Sequence, residues 1–133
     1  MANQTQRPDT ALHNTSHLMQ YHDLIESIVA AMDARDAYTA KHSDRVADMV
    51  LVLATALDLS EDETTLLHMA AHLHDIGKIA VPDSVLRKAG PLTNPEWEEM
   101  RRHPVTGYEI LRKVDDFKEI AVLVRHHHER WDG

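Results

Sequence analysis

Apolar residues recur at intervals of three and four through most of the chain, the spacing that puts them on one face of an α-helix. Leu18, Tyr21, Leu24, Ile25, Ile28, Val29 and Met32 define a first helix ending near Arg35. Val46, Met49, Val50 and Leu53 carry the same rhythm into a second, starting around Thr39. Ser60 with Glu63 reads as a capping box, in which two side chains satisfy the free backbone N–H groups of a helix start. The helix it opens runs through Leu66, Leu67, Ala70 and Ala71 to His74, with Gly77 ending it. Pro82-Asp83 opens a short helical turn, and Lys88-Ala89-Gly90-Pro91 is a loop. Thr93 with Glu96 forms a second capping box with Pro95 in its first turn, which predicts a helix over 95–102. Pro104 disfavours the α region for His103, so a break is expected there before a helix through Tyr108 and Leu111. The last helix is expected over about 116–129. No segment alternates with the two-residue period of a strand, so the expected fold class is all-α, a single-domain helical bundle. Residues 1–17 are polar, aperiodic and contain Pro8, and read as a flexible leader or linker ahead of a domain over 18–133.

Length and charge narrow the function. A chain of 133 residues can bury a real core. A formal charge of −8 argues against a general binder of DNA or of anionic membranes, and no apolar run approaches a membrane span of ~18 residues. The start lacks the basic-then-apolar order of a signal peptide. Without cysteine, any metal must be held by imidazole and carboxylate, donors that suit iron, manganese or zinc.

The chemistry lies in the histidines. His74-Asp75-Ile76-Gly77-Lys78 sets an imidazole, a carboxylate and an ammonium within five residues. A His-Asp pair alone means little, since 11 His and 13 Asp in this length give about one such pair by chance, and His22-Asp23 reads as that accident. The companions of His74-Asp75 matter more. Phe117, Ile120, Ala121 and Val124 form the inward stripe of the last helix, and extending it by three and four residues reaches His127 and His128 while leaving His126 outside. His74 continues the stripe of Leu67, Ala70 and Ala71, and His42 stands four residues before Val46. Several inward imidazoles need partners, and a metal supplies them. His68 and His72, four residues apart on one helix, could bind a metal at a surface but read first as ordinary solvated side chains, and His13, His17 and His22 as doing nothing specific. Asp75 at a helix end would bridge two cations or accept a backbone hydrogen bond. Lys78 would meet a phosphate oxygen or simply face the helix dipole.

The series Tyr38-Thr39-Ala40-Lys41-His42-Ser43-Asp44-Arg45-Val46, His74-Asp75-Ile76-Gly77-Lys78-Ile79, Pro82-Asp83, Gly90-Pro91-Leu92-Thr93, His103-Pro104 with Gly107, and His127-His128-Glu129-Arg130-Trp131-Asp132-Gly133 resembles the HD-GYP branch of the HD phosphohydrolases over about residues 20–133. The resemblance implies a cytoplasmic, metal-dependent phosphodiesterase that hydrolyses the bacterial second messenger cyclic di-GMP to linear pGpG, GMP or both. It further implies two divalent ions, iron or manganese, on His42, His74, Asp75, His103, His127 and His128. Asp75 and Lys78 would be the catalytic residues, and Lys78, Lys88 and Arg45 would meet the substrate. The expected partners are the cyclic dinucleotide and either a second copy of the chain or an upstream sensory or receiver module. Two departures stand out. The Gly-Tyr-Pro signature and a later helix bearing a further Asp ligand would follow Gly133, so the chain resembles the N-terminal part of the domain. Tyr38 occupies the position where members with three metals carry Glu, which favours two. The alternatives are an HD-type nucleotide phosphohydrolase and a non-catalytic regulatory or interaction module that keeps the metal site.

Overall fold

The computed structural model describes residues 15–36 and 41–132. Tyr38, the expected helix start at Thr39 and most of the expected leader lie outside them. A 3-10 turn, Thr15–Tyr21, leads into α1, His22–Arg35. Next come α2, His42–Ala56, and α3, Glu61–Leu73, followed by a 3-10 segment, Ile76–Ala80. Two short helices, α4 (Asp83–Leu86) and α5 (Asn94–Met100), precede α6, His103–Leu111. A 3-10 turn, Asp115–Phe117, then opens α7, Lys118–His126. The described residues contain no strand, and the all-α bundle expected from periodicity is the fold observed.

Both capping boxes form. The Ser60 N–H donates to Glu63 Oε2 at 2.9 Å, the Glu63 N–H returns to Ser60 Oγ at 3.3 Å, and the Thr93 N–H donates to Glu96 Oε2 at 2.7 Å. His103, however, is the first residue of α6 and not a break before it. Pro104 therefore falls in the opening turn, where a missing N–H costs nothing because that donor has no partner within the helix.

α3 is the central element, packed against α1, α2 and α7, while α6 packs on α7 and on the Ile76–Ala80 segment. Ile25, Val29, Met69, Leu73, Leu111, Phe117, Ile120 and Val124 interlock in one core. The stripe expected on α7 is buried as read. That of α2 is misphased, with Met49 and Leu53 63% and 57% exposed while Ser43, Ala47 and Ala54 are buried. Small side chains let α2 approach α3 closely, and the large ones are left on its outer side.

Gly77 has a different role from the one expected. α3 has ended before it, and a Cβ added there would stand 1.8 Å from the carbonyl oxygen of His103 and 2.6 Å from the Gly107 nitrogen. The residue is needed for space between the Ile76–Ala80 segment and α6, not for a turn.

Candidate metal centre

Four helix ends meet at one rim of the bundle. α2 and α3 form an antiparallel pair whose N- and C-terminal ends carry His42 and His74-Asp75. α6 and α7 form a second pair whose corresponding ends carry His103 and His127-His128. Each pair contributes one triad, His42–His74–Asp75 and His103–His127–His128, with the possible ligand atoms of each triad within 4.8 Å of one another. Ring centroids of His74 and His127 lie 5.2 Å apart, joining the triads.

Local backbone fixes how the rings are presented. His74, His103 and His127 each set Nδ1 at 2.7 Å from the carbonyl oxygen three residues earlier, of Ala71, Met100 and Val124 respectively. A carbonyl only accepts, so each Nδ1 carries the proton and each neutral ring keeps its lone pair on Nε2. Those Nε2 atoms converge. His74 Nε2 stands 3.3 Å from Asp75 Oδ2, and His103 Nε2 stands 3.3 Å from Asp75 Oδ1 and from His127 Nε2. Two lone pairs facing each other at that distance repel unless a cation lies between them. Ligands bonded at 2.0–2.1 Å in a tetrahedral site are spaced by about 3.3–3.4 Å, so the residues present fit a metal ion.

Electrostatics favour the ligand forms of His103, His127 and Asp75, while His74 is drawn toward its cationic form by Asp75. Burial, opposed by the Val124 hydrogen bond and reinforced by the neighbouring histidines, pushes His127 down to about 4, and burial lowers His103 as well. Both are neutral at physiological pH. Burial alone would raise Asp75 and lower His74, yet their mutual hydrogen bond and charge outweigh it, assisted for Asp75 by Lys78. Asp75 is consequently held well below the usual carboxylate range, and His74 is raised.

The remaining expected site residues divide. Lys78 is at the centre, its Nζ 2.8 Å from Asp75 Oδ2. His42 is half-buried, its ring 5.3 Å from that of His74. His128 is exposed, against the expectation of an inward side chain, because it follows the end of α7, but its ring still lies 4.0 Å from that of His127. His126 points away and pairs with Glu129. Lys88 is paired with Glu96 at the start of α5, and Arg45 is exposed on the first turn of α2. His68 and His72 correct the expectation of solvated side chains: His72 is 5% exposed and His68 half-buried, because α1 covers that face of α3.

Sequence reading passed over Arg35. At the last residue of α1, its guanidinium donates to the carbonyl oxygens of Lys78, Ile79 and Val81 and to Asp83 Oδ1. It thus holds the backbone that carries Lys78. An arginine ending an amphipathic helix looks the same in sequence whether it meets solvent or, as here, a neighbouring loop.

Residues 21–133 match the HD domain family. The chain belongs to that family. It is 42% identical over 113 residues to the cyclic di-GMP phosphodiesterase response regulator RpfG of Xanthomonas campestris, covering 84% of this chain and 30% of the relative. It is 40% identical over 116 residues to 3'3'-cGAMP-specific phosphodiesterase 2 of Vibrio cholerae, covering 84% and 22%. A cyclic di-GMP phosphodiesterase of Thermotoga maritima is 37% identical over 113 residues, with 84% and 31% covered. The chain thus spans at most about a third of the length of these relatives. The HD-GYP resemblance read from the motifs holds: the matched family is the HD domain, and these relatives are named as cyclic di-GMP or 3'3'-cGAMP phosphodiesterases.

Proposed function

We propose that the chain is the metal-binding part of a phosphodiesterase that hydrolyses a cyclic dinucleotide, cyclic di-GMP in the first instance, in the bacterial cytoplasm. The observation that carries this reading is Asp75, whose two oxygens each face an Nε2 from a different helix pair. One carboxylate shared by two ligand triads is the arrangement expected of two adjacent divalent ions, iron or manganese in this reading. His42 and His74 would complete one half, and His103, His127 and His128 the other. Bound ions would supply hydroxide at neutral pH and neutralise charge on the phosphoryl group.

The chain's own residues do the rest. Nδ1–H bonds to backbone carbonyls aim the imidazoles before any ligand arrives, so little ordering is left for the moment of binding. Asp75 is ionised and ready to ligate. Lys78, now neutralising Asp75, is within reach of a phosphate oxygen once cations take over the carboxylate's charge. Lys88 and Arg45 would contact outer parts of the dinucleotide, which requires Lys88 to exchange its Glu96 partner for substrate. The domain would run over 18–133, joined to an upstream sensory or receiver module or paired with a second copy. No helix among the described residues is long and apolar enough to cross a membrane. Relatives named for cyclic di-GMP and for 3'3'-cGAMP make the cyclic dinucleotide class firmer than the identity of its bases.

The test combines metal content with turnover. The protein is purified anaerobically, loaded with Fe²⁺ or Mn²⁺, and incubated with cyclic di-GMP, 3'3'-cGAMP and a panel of mononucleotides, as this chain and as the complete encoded protein. Two ions per chain and release of a linear dinucleotide or mononucleotide from a cyclic dinucleotide are expected. Asp75→Asn should abolish both. Metal binding without cleavage by the complete protein would favour a non-catalytic module, and cleavage of mononucleotides alone would favour an HD-type nucleotide phosphohydrolase.

A further inference from the structure

A second set of histidines meets where α1 lies across α3. His22 opens α1, and His68 and His72 stand one turn apart on α3. One possible ligand nitrogen from each lies within 4.8 Å of the others. The ring centroids are 5.6 Å apart for His22 and His68, 5.4 Å for His22 and His72, and 4.7 Å for His68 and His72.

Two features separate this group from histidines that merely pack. His72 is 5% exposed, and its Nδ1 is buried with no hydrogen-bond partner. The facing oxygen, Asp44 Oδ1 on α2, is 3.6 Å away, beyond hydrogen-bond reach. A buried ring nitrogen in that position needs an explanation. His68, in contrast, is already oriented, with Nδ1 3.3 Å from the carbonyl oxygen of Ala47. That bond puts the proton on Nδ1 and leaves the Nε2 lone pair free, the manner in which metal-binding imidazoles are commonly held. Negative charge surrounds the group. Glu26 Oε1 is 3.7 Å from His22 Nε2, Asp23 Oδ1 is 3.8 Å from His22 Nδ1, and Asp44 stands beside His72.

We propose that His22, His68 and His72 form a second metal site, distinct from the rim centre, that takes a late first-row divalent cation such as zinc. Glu26, Asp44 or a water molecule fills the fourth position. Tetrahedral binding at 2.0–2.1 Å requires donor spacings of about 3.3–3.4 Å, so the rings close by side-chain rotation, mainly of the half-buried His22. The ion acts as a clip between α1 and α3, and its binding is independent of any turnover at the rim.

Zinc itself is the probe. Metal-free protein is titrated with Zn²⁺, and bound zinc is counted after desalting, while ¹⁵N NMR follows the individual imidazole rings. His22→Gln and His68→Gln, both at incompletely buried positions, should each lose one zinc per chain relative to the parent protein. A variant carrying Asp75→Asn and His127→Gln should lose rim ions but keep a zinc that shifts the His22, His68 and His72 resonances. Matching spectra of the zinc-free proteins show that each variant is folded; a variant that fails this is replaced by His22→Ala or by zinc titration of the parent followed by NMR alone. Undiminished zinc in both glutamine variants, or ring signals of the three histidines unmoved by zinc in the folded parent, would overturn the proposal.

Discussion

The proton on His127 is governed first by burial and then by one carbonyl and three neighbouring rings, and its balance has a measurable pH signature. In the metal-free protein this imidazole is pushed down to about 4, against an ordinary value near 6.5, and His103 is lowered with it. Between the native and unfolded values the unfolded chain binds more protons, so stability rises with pH over that interval. The metal-free protein should therefore lose stability as pH falls from 6.5 to about 4. Asp75, depressed in the native state, adds a loss at still lower pH, whereas His74, raised, contributes stability that disappears as pH rises through its native value. Urea midpoints taken from neutral pH downward read the net effect, and His127→Gln should flatten the descent. A midpoint that does not change over the interval would contradict the burial of His127. The stripe of α7 already pointed to this residue, because its apolar positions extend by three onto it. What sequence could not supply is the Nδ1–H bond to Val124, which depends on the ring's rotamer at the helix end and not on residue order.

Element packing explains the sharpest expected mutational effect. Gly77→Ala would drive a Cβ into the His103 carbonyl, a backbone atom that cannot swing aside. The cost should reach or exceed the ~1–3 kcal/mol typical of overpacking, read as a lowered thermal midpoint. Metal content should fall in parallel, since the displaced strand of contacts includes the start of α6. An unchanged midpoint would mean that the segment and α6 are farther apart than described. Sequence marked Gly77 as special but for the wrong reason: a glycine after a helix usually ends it, and only the fold brings α6 against this one. The α2 phase failed for a related cause. Large apolar residues are the strongest signal in a sequence, yet Ala47 and Ala54 form the interface because close helix approach favours small ones. Capping boxes, by comparison, act within four residues and were fully legible.

At the scale of the whole molecule, α2 and the Leu57 that follows it leave Met49, Val52, Leu53 and Leu57 between 57% and 71% exposed. Replacing Met49→Glu together with Val52→Lys should remove much of this apolar surface while changing stability by no more than about 0.5 kcal/mol per site. Light scattering at rising protein concentration should fall, and the melting temperature should stay nearly constant. A large drop in that temperature would show that the two side chains pack inward. The all-α class and the inward stripes that lead to His42, His74 and His127 could be read from periodicity because they follow from helix faces, whereas His103 is reached only through the family resemblance. The meeting of His22 with His68 and His72 could not, since it depends on how α1 crosses α3, and the residues of α1 fit several crossings equally well.

Arg35 gives that crossing a mechanical meaning. α1 has 14 residues, about 21 Å at 1.5 Å per residue, and its last side chain grips three carbonyls of the strap that bears Lys78. The Arg35 carbonyl is gripped in return by Arg87. The helix is thus a rod fastened at its far end to the floor of the metal centre. Because Ile25 and Val29 of the same helix are buried in the core, any reseating of α1 near His22 bears at once on the core and on the backbone that carries Lys78.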